Sequence, residues 1–271
     1  MYKLIDDNFV DKETCLRTIK TELIVDEKQL ELQDNSLEQY KETHELEQHS
    51  DEIKYLMSEF ESFMALHLLS NKKENSTILD VGSGISVQHP IYFKNLKNSN
   101  LTYIGLDPFE INPQRDYLFI NGKFEGLHKY IDFKFDNLIF STSLDHLENL
   151  NEVNEEITKV LKKDGIAFFW VGLHDPEIVS RQALSGFFKS LDIFKKRDLL
   201  ELMFKFPLIL IKMYQLMRKR SIDLSKLQPM DNLHFHYFLD KNLENYMKSI
   251  GEIVDVKYTP FTNSVFYAVK L

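Results

Sequence analysis

Cysteine is almost missing from this chain: one, Cys15, in 271 residues. One thiol can build neither an internal disulfide framework nor a cysteine zinc cluster, and it fits a reducing compartment. Glycine and proline are sparse, nine and seven, and residues 1–70 contain neither. The start, MYKLIDDNFVDKE, lacks the basic residues and apolar run of a secretory signal, so a cytoplasmic protein is expected. Positive charge is also short, with 33 Lys and Arg against 42 Asp and Glu and a net charge of −9. That argues against a general polyanion binder, and no nucleic-acid partner is expected. The composition that remains, 43% hydrophobic and 28% charged, is ordinary for a folded protein with a substantial core.

The most informative stretch is Ser76 to Ser86, STILDVGSGIS. It reads as a short apolar strand, Ile78 to Val81, that runs into a glycine turn and then opens a helix. Such a turn presents unpaired backbone N–H groups to a ligand lying across the strand's carboxyl end. A nucleotide-like ligand is the first expectation; a tight turn with no ligand is the alternative.

Residues 1–70 hold 17 acidic against 7 basic residues and read as an acidic helical arm. Ile53, Leu56, Met57, Phe60, Phe63, Met64 and Leu68 recur at helical spacing, so 51–70 is expected as an amphipathic helix on the core. Beyond the glycine turn, Val87 to Leu96 reads as a crossover helix, with His89-Pro90 making its start irregular. Strands are expected at Leu101–Leu106, Tyr117–Ile120, Phe135–Ser141 and Ile166–Val171. Helices are expected at Phe124–Tyr130 and Asn149–Leu161, the latter closed by Lys162-Lys163-Asp164-Gly165. Strands alternating with helices give βαβ units and a mostly parallel sheet. The pattern breaks between 176 and 230, a helical insert in which Leu199 to Arg220 is both apolar and basic. Glu201, Lys205, Pro207 and Lys212 make that run a poor membrane span. It reads as a cap packed on the core, an amphipathic element in peripheral contact with a membrane or lipid-linked substrate, or an oligomer contact. A helix at Leu239–Ile250 and a hairpin of Ile253–Tyr258 and Val265–Val269 end the chain.

This order, together with ILDVGSG, Asp107 closing the second strand, LDHL and VLKKDG, resembles the class I S-adenosylmethionine-dependent methyltransferases. The resemblance covers 77–173 by motif and 235–271 by pattern. It implies an α/β doubly wound sheet of seven strands, order 3-2-1-4-5-7-6 with the last antiparallel. The core is then 71–175 plus 231–271, flanked by the arm and the insert. It also implies S-adenosyl-L-methionine as cofactor, with Asp80, Gly82 and Gly84 at the methionine end and Asp107 on the ribose hydroxyls. A carboxylate suits that last task because two vicinal hydroxyls offer two donors to an acceptor-only group. Two positions depart from the family: Ser86 where a third glycine is common, and Lys123 where an acidic residue usually meets adenine. Phe124 and Ser141 complete the expected cofactor set.

Methyl transfer needs alignment and the handling of one proton. A histidine base suits a hydroxyl acceptor. His146, after Asp145 beyond the fourth strand, and His234 and His236 in LHFHYF are the catalytic candidates; the alternative for His146 is a backbone-bonded helix start. His174 and Asp175, after the fifth strand, are candidates for the substrate side. Some ubiquinone-pathway and small-RNA O-methyltransferases resemble this sequence at Asp145-His146 and hold a divalent ion there. Thr142 stands where their further glutamate would be, so no metal is expected. The resemblance implies O-methylation of a small-molecule or glycan acceptor, as in methyltransferases found with surface-polysaccharide genes. A quinone or lipid-like acceptor, or a non-catalytic binding module on the same fold, are the competing readings.

Overall fold

The computed structural model describes residues 18–20, 51–70, 76–84, 86–108, 115–175, 235–259 and 262–271. The rest of the acidic arm, the insert and His234 lie outside these residues. Among the described residues eight strands form one sheet: β1 (Thr18–Lys20), β2 (Ser76–Val81), β3 (Leu101–Asp107), β4 (Leu118–Asn121), β5 (Phe135–Ser141), β6 (Leu161–Gly172), β7 (Glu252–Tyr258) and β8 (Ser264–Lys270). Their order is β1-β4-β3-β2-β5-β6-β8-β7. All pairs from β1 to β6 are parallel, and β8 runs antiparallel to both β6 and β7. Without β1 this is the expected seven-stranded order. The edge strand Thr18–Lys20 lies inside the acidic arm, where only helix was expected; three residues are too few for a period-two signal.

Both faces of the sheet are buried, which is why the central strands read as continuous apolar runs instead of alternating ones. Successive residues still divide between the faces. Ile78, Tyr103, Phe168 and Phe266 pack beneath helix α1 (Asp51–Ser70), against Phe60, Phe63 and Met64. Leu79, Ile104, Phe169 and Tyr267 face the other way, against helices α2 (Leu150–Val160) and α3 (Asp240–Ile250). Phe60 and Met64 are fully buried, and each such side chain contributes roughly 1.5–3 kcal/mol of hydrophobic stabilisation. Asn149 caps α2 by accepting from the Asn151 and Glu152 amides, the N-cap role of a short polar side chain.

The segment after the glycine turn differs from expectation. Instead of one helix over 87–96 it makes two 3₁₀ turns, Ile91–Phe93 and Leu96–Asn98. Pro90 is extended at ψ 155°, and a proline disfavours helical geometry at the residue before it. The buried Glu61 of α1 substitutes for helical continuity by accepting from Asn95 N and Nδ2, both at 2.6 Å, and from Leu96 N at 3.3 Å. The expected helix at 124–130 is likewise a single 3₁₀ turn, Leu127–Lys129, entered through Gly126.

Candidate active site

The chemistry-bearing groups converge on the carboxyl edge of the sheet. The turn after β2 is tied to β3, because Gly82 N and Ser83 N both donate to the Leu106 carbonyl, at 2.8 and 3.2 Å. Gly82 and Gly84 both sit at φ 74°, a left-handed conformation that side chains disfavour. A Cβ on Gly82 would also stand 2.5 Å from Ser143 Cβ. The turn therefore presses on the loop after β5, and Ser143 Oγ donates to the Val81 carbonyl across that contact. Asp107, 5% exposed at the end of β3, accepts from Gly84 N at 2.9 Å. Its carboxylate is thereby oriented at the turn.

Asp80 faces the α1 side of the sheet and is fully buried. Its Oδ2 accepts from Tyr92 Oη at 2.6 Å and from Tyr103 Oη, while Oδ1 has no partner. Burial pushes the Asp80 carboxyl up to about 7; the two tyrosine hydrogen bonds oppose that rise and the charge of Asp107 adds to it. Burial likewise raises Tyr92 and Tyr103, with Asp80 adding to each. Ser141, at the end of β5, bonds to Tyr92 in the same layer.

A second buried group lies under the turn. Arg115 is 1% exposed, and its Nη1 donates to the Gly84 and Ser86 carbonyls, both at 2.9 Å, and to Tyr117 Oη. Tyr117 Oη in turn donates to Ser86 O at 2.7 Å. Sequence reasoning missed Arg115, Tyr92 and Tyr103. A charged residue in a loop reads as surface, and the tyrosines read as core until the fold sets both against Asp80.

On the acceptor side of the turn, residues 235–240 run along the ends of β5 and β6. Phe235 N and His236 N donate to the Asp145 carbonyl at 2.8 and 3.3 Å, and His236 Nε2 lies 2.8 Å from the Leu147 carbonyl. A carbonyl can only accept, so Nε2 carries a proton and donates, and Nδ1 is the ring nitrogen not engaged in that bond. His146 closes the 3₁₀ turn Leu144–His146, half-buried, with Nε2 3.9 Å from Asp145 Oδ1. His236 thus lies against the loop that carries His146. Farther along, His174 N donates to Phe238 O and the His174 ring stands edge-on to Tyr237. Asp175 accepts from Asp240 N at 2.8 Å, a carboxylate at the positive end of α3.

The remaining sequence candidate, Phe124, is 1% exposed and packs edge-on against Phe140 within the core. Lys123 pairs with Glu148 at 3.2 Å. Two residues on, burial raises the Glu125 carboxyl, which accepts from Glu148 N. Among the described residues no three His, Cys, Asp or Glu side chains gather as a metal site. A cavity of about 330 Å³ lies between Gln88, His89, Lys94, Lys97 and Asp116. Its lysines are exposed, and the buried polar groups described above do not line it.

Residues 79–169 match the sequence family described as "Methyltransferase domain". That stretch spans the glycine turn, Asp107 and the loop after β5. The match covers about a third of the chain and supports a methyltransferase. No curated protein sequence matches the chain. Among solved structures, the chain is similar to the 1,6-didemethyltoxoflavin-N1-methyltransferase of Burkholderia thailandensis, which holds 1,6-didemethyltoxoflavin and S-adenosylhomocysteine. The two share 11% identity over 88% of this chain and 86% of that one, with a TM-score of 0.52. It is also similar, at 12% identity over 83% and 94% and a TM-score of 0.47, to an S-adenosylmethionine-dependent methyltransferase of Clostridium acetobutylicum. The first of these likenesses is one of fold. S-adenosylmethionine, the cofactor expected from the glycine turn and its resemblance, would meet polar groups at the turn that suit it in kind. Its methionine end brings an ammonium, for which the open Asp80 Oδ1 is an acceptor. Its ribose brings a diol, for which the Asp107 carboxylate is an acceptor-only partner.

Proposed function

We propose that this methyltransferase methylates a hydroxyl of a small-molecule or glycan acceptor, with His236 as the base and His146 on the adjoining loop. The observation that carries the reading is the His236 ring bond: Nε2 is committed to the Leu147 carbonyl, which leaves Nδ1 to take the acceptor proton. The cofactor supplies a methyl group on a sulfonium, already a good leaving group. The chain's part is then to align the acceptor oxygen, exclude water and receive one proton.

In this reading Asp80 and the Gly82–Gly84 turn hold the methionine end, Asp107 holds the ribose, and Ser141 supports Asp80 through Tyr92. Phe124 contributes its backbone beside the adenine, since its ring is engaged with Phe140. His174 belongs to the acceptor side with Tyr237. Asp175 acts there indirectly, by fixing the start of α3 and so the 235–240 segment. The basic, apolar insert 176–230 and the acidic arm are assigned to the acceptor side, and His234 remains a further base candidate.

The test is methyl transfer from radiolabelled S-adenosylmethionine to a panel of phenols, sugar hydroxyls, quinols and amines. Transfer to phenols or sugars that falls away in His236→Ala supports the reading. Transfer confined to amines refutes it, and transfer confined to quinols selects the quinone-like acceptor.

A further inference from the structure

Arg115 uses only one of its three nitrogens on the protein. Nη1 carries all the contacts, to Gly84 O, Ser86 O and Tyr117 Oη, while Nε and Nη2 are buried without partners. The guanidinium lies 3.8 Å from the centre of the Phe119 ring, which covers a face and leaves the edge. A guanidinium stays charged at every accessible pH, so this is a permanent buried cation with two unmet donors. Those donors are adjacent on the fork, and that edge matches the two oxygens of a carboxylate. The neighbouring acids have other partners: Asp116 lies 3.0 Å from His89 Nδ1, Asp107 accepts from Gly84 N, and Asp80 Oδ2 accepts from two tyrosines.

We propose that Arg115 binds the carboxylate of the cofactor's methionine end through Nε and Nη2, while Nη1 sets the backbone of the glycine turn. The proposal rests on the cofactor being S-adenosylmethionine. It is favoured over another anion because the same turn also carries an unmet buried acceptor, Asp80 Oδ1. An open cation and an open carboxylate oxygen flanking one turn are the complement of a zwitterion. An inorganic or acceptor phosphate would satisfy only the first. Arg115 thereby makes the site selective for a cofactor that retains its amino-acid carboxylate.

The experiment is calorimetric titration of the full chain with S-adenosylhomocysteine, its decarboxylated analogue and 5′-methylthioadenosine. The wild type is expected to bind S-adenosylhomocysteine about 100-fold more tightly than the decarboxylated analogue, the size of a lost charge-assisted pair. Arg115→Gln is expected to bring the two within about threefold by weakening only the carboxylate-bearing ligand. Arg115→Lys, which keeps the charge and loses the fork, is expected to fall between. Equal weakening of all three ligands in Arg115→Gln would make Arg115 a turn-holding residue only and overturn the proposal. So would equal affinity of the wild type for the first two ligands, a comparison that stands even if the variants fail to fold. So would a rise in thermal stability with phosphate that is undiminished when S-adenosylhomocysteine is already bound. Failure of the wild type to bind any of the three would instead remove the cofactor assignment itself.

Discussion

Asp80→Asn should make this protein more stable at neutral pH and less able to hold its cofactor. The Asp80 carboxyl is fully buried and its proton is held up to about pH 7, against an ordinary value near 4 in the unfolded chain. The folded state therefore binds more protons than the unfolded state between those limits, so stability falls as pH rises through that window. The slope is about 1.4 kcal/mol per pH unit for one group. From pH 5 to pH 7 the loss is about 2 kcal/mol, because the slope halves at the pKa, and by pH 8 it approaches about 3 kcal/mol. Asparagine keeps an acceptor for Tyr92 and Tyr103 and has no charge to bury. The stability difference between variant and wild type should therefore grow by about 3 kcal/mol from pH 5 to pH 8. Taking that difference cancels the other titrating groups. Urea unfolding at both pH values, followed by the single tryptophan, reads it out. Trp170 is 3% exposed, on the α1 side of the sheet with Phe60 and Phe266, and will report its exposure. A difference constant with pH to within about 0.5 kcal/mol, at unchanged m, would refute the claim that Asp80 is the buried proton. The amide also sets a donor where an ammonium needs an acceptor, so affinity for S-adenosylhomocysteine should fall.

Three further outcomes are expected. Gly82→Ala combines a left-handed φ with a Cβ 2.5 Å from Ser143 Cβ; it should cost roughly 3 kcal/mol and abolish the thermal shift with S-adenosylhomocysteine. Adding Ser143→Gly should recover part of the stability. His236→Ala should lower kcat by about 10²-fold or more, with S-adenosylhomocysteine affinity within about twofold of wild type; His146→Ala and His234→Ala should act in the same direction, and a parallel loss of cofactor binding would mark any of them as structural. Glu61→Ala leaves three donors of residues 95–96 unmet beneath α1 and should destabilise by roughly 2–4 kcal/mol, read as a lowered midpoint in urea.

ILDVGSG, the run LTYIGLD and the closing hairpin needed no coordinates to be placed, because strands buried on both faces read as unbroken apolar runs and glycines mark where the backbone must turn left-handed. The expectation of the seven-strand order follows from those signals and the resemblance they carry. Other features were decided by tertiary structure alone. Arg115 is remote in sequence from Gly84, and only the return of the chain before β4 brings its guanidinium under that turn. Tyr92 and Tyr103 come from different elements and meet on one oxygen of Asp80. His236 commits Nε2 as a donor only because residues 235–236 lie on the loop of Asp145 and Leu147. Local periodicity specifies which residues are buried. It cannot specify which polar groups are buried together, and at this turn that pairing decides which charges remain for a ligand.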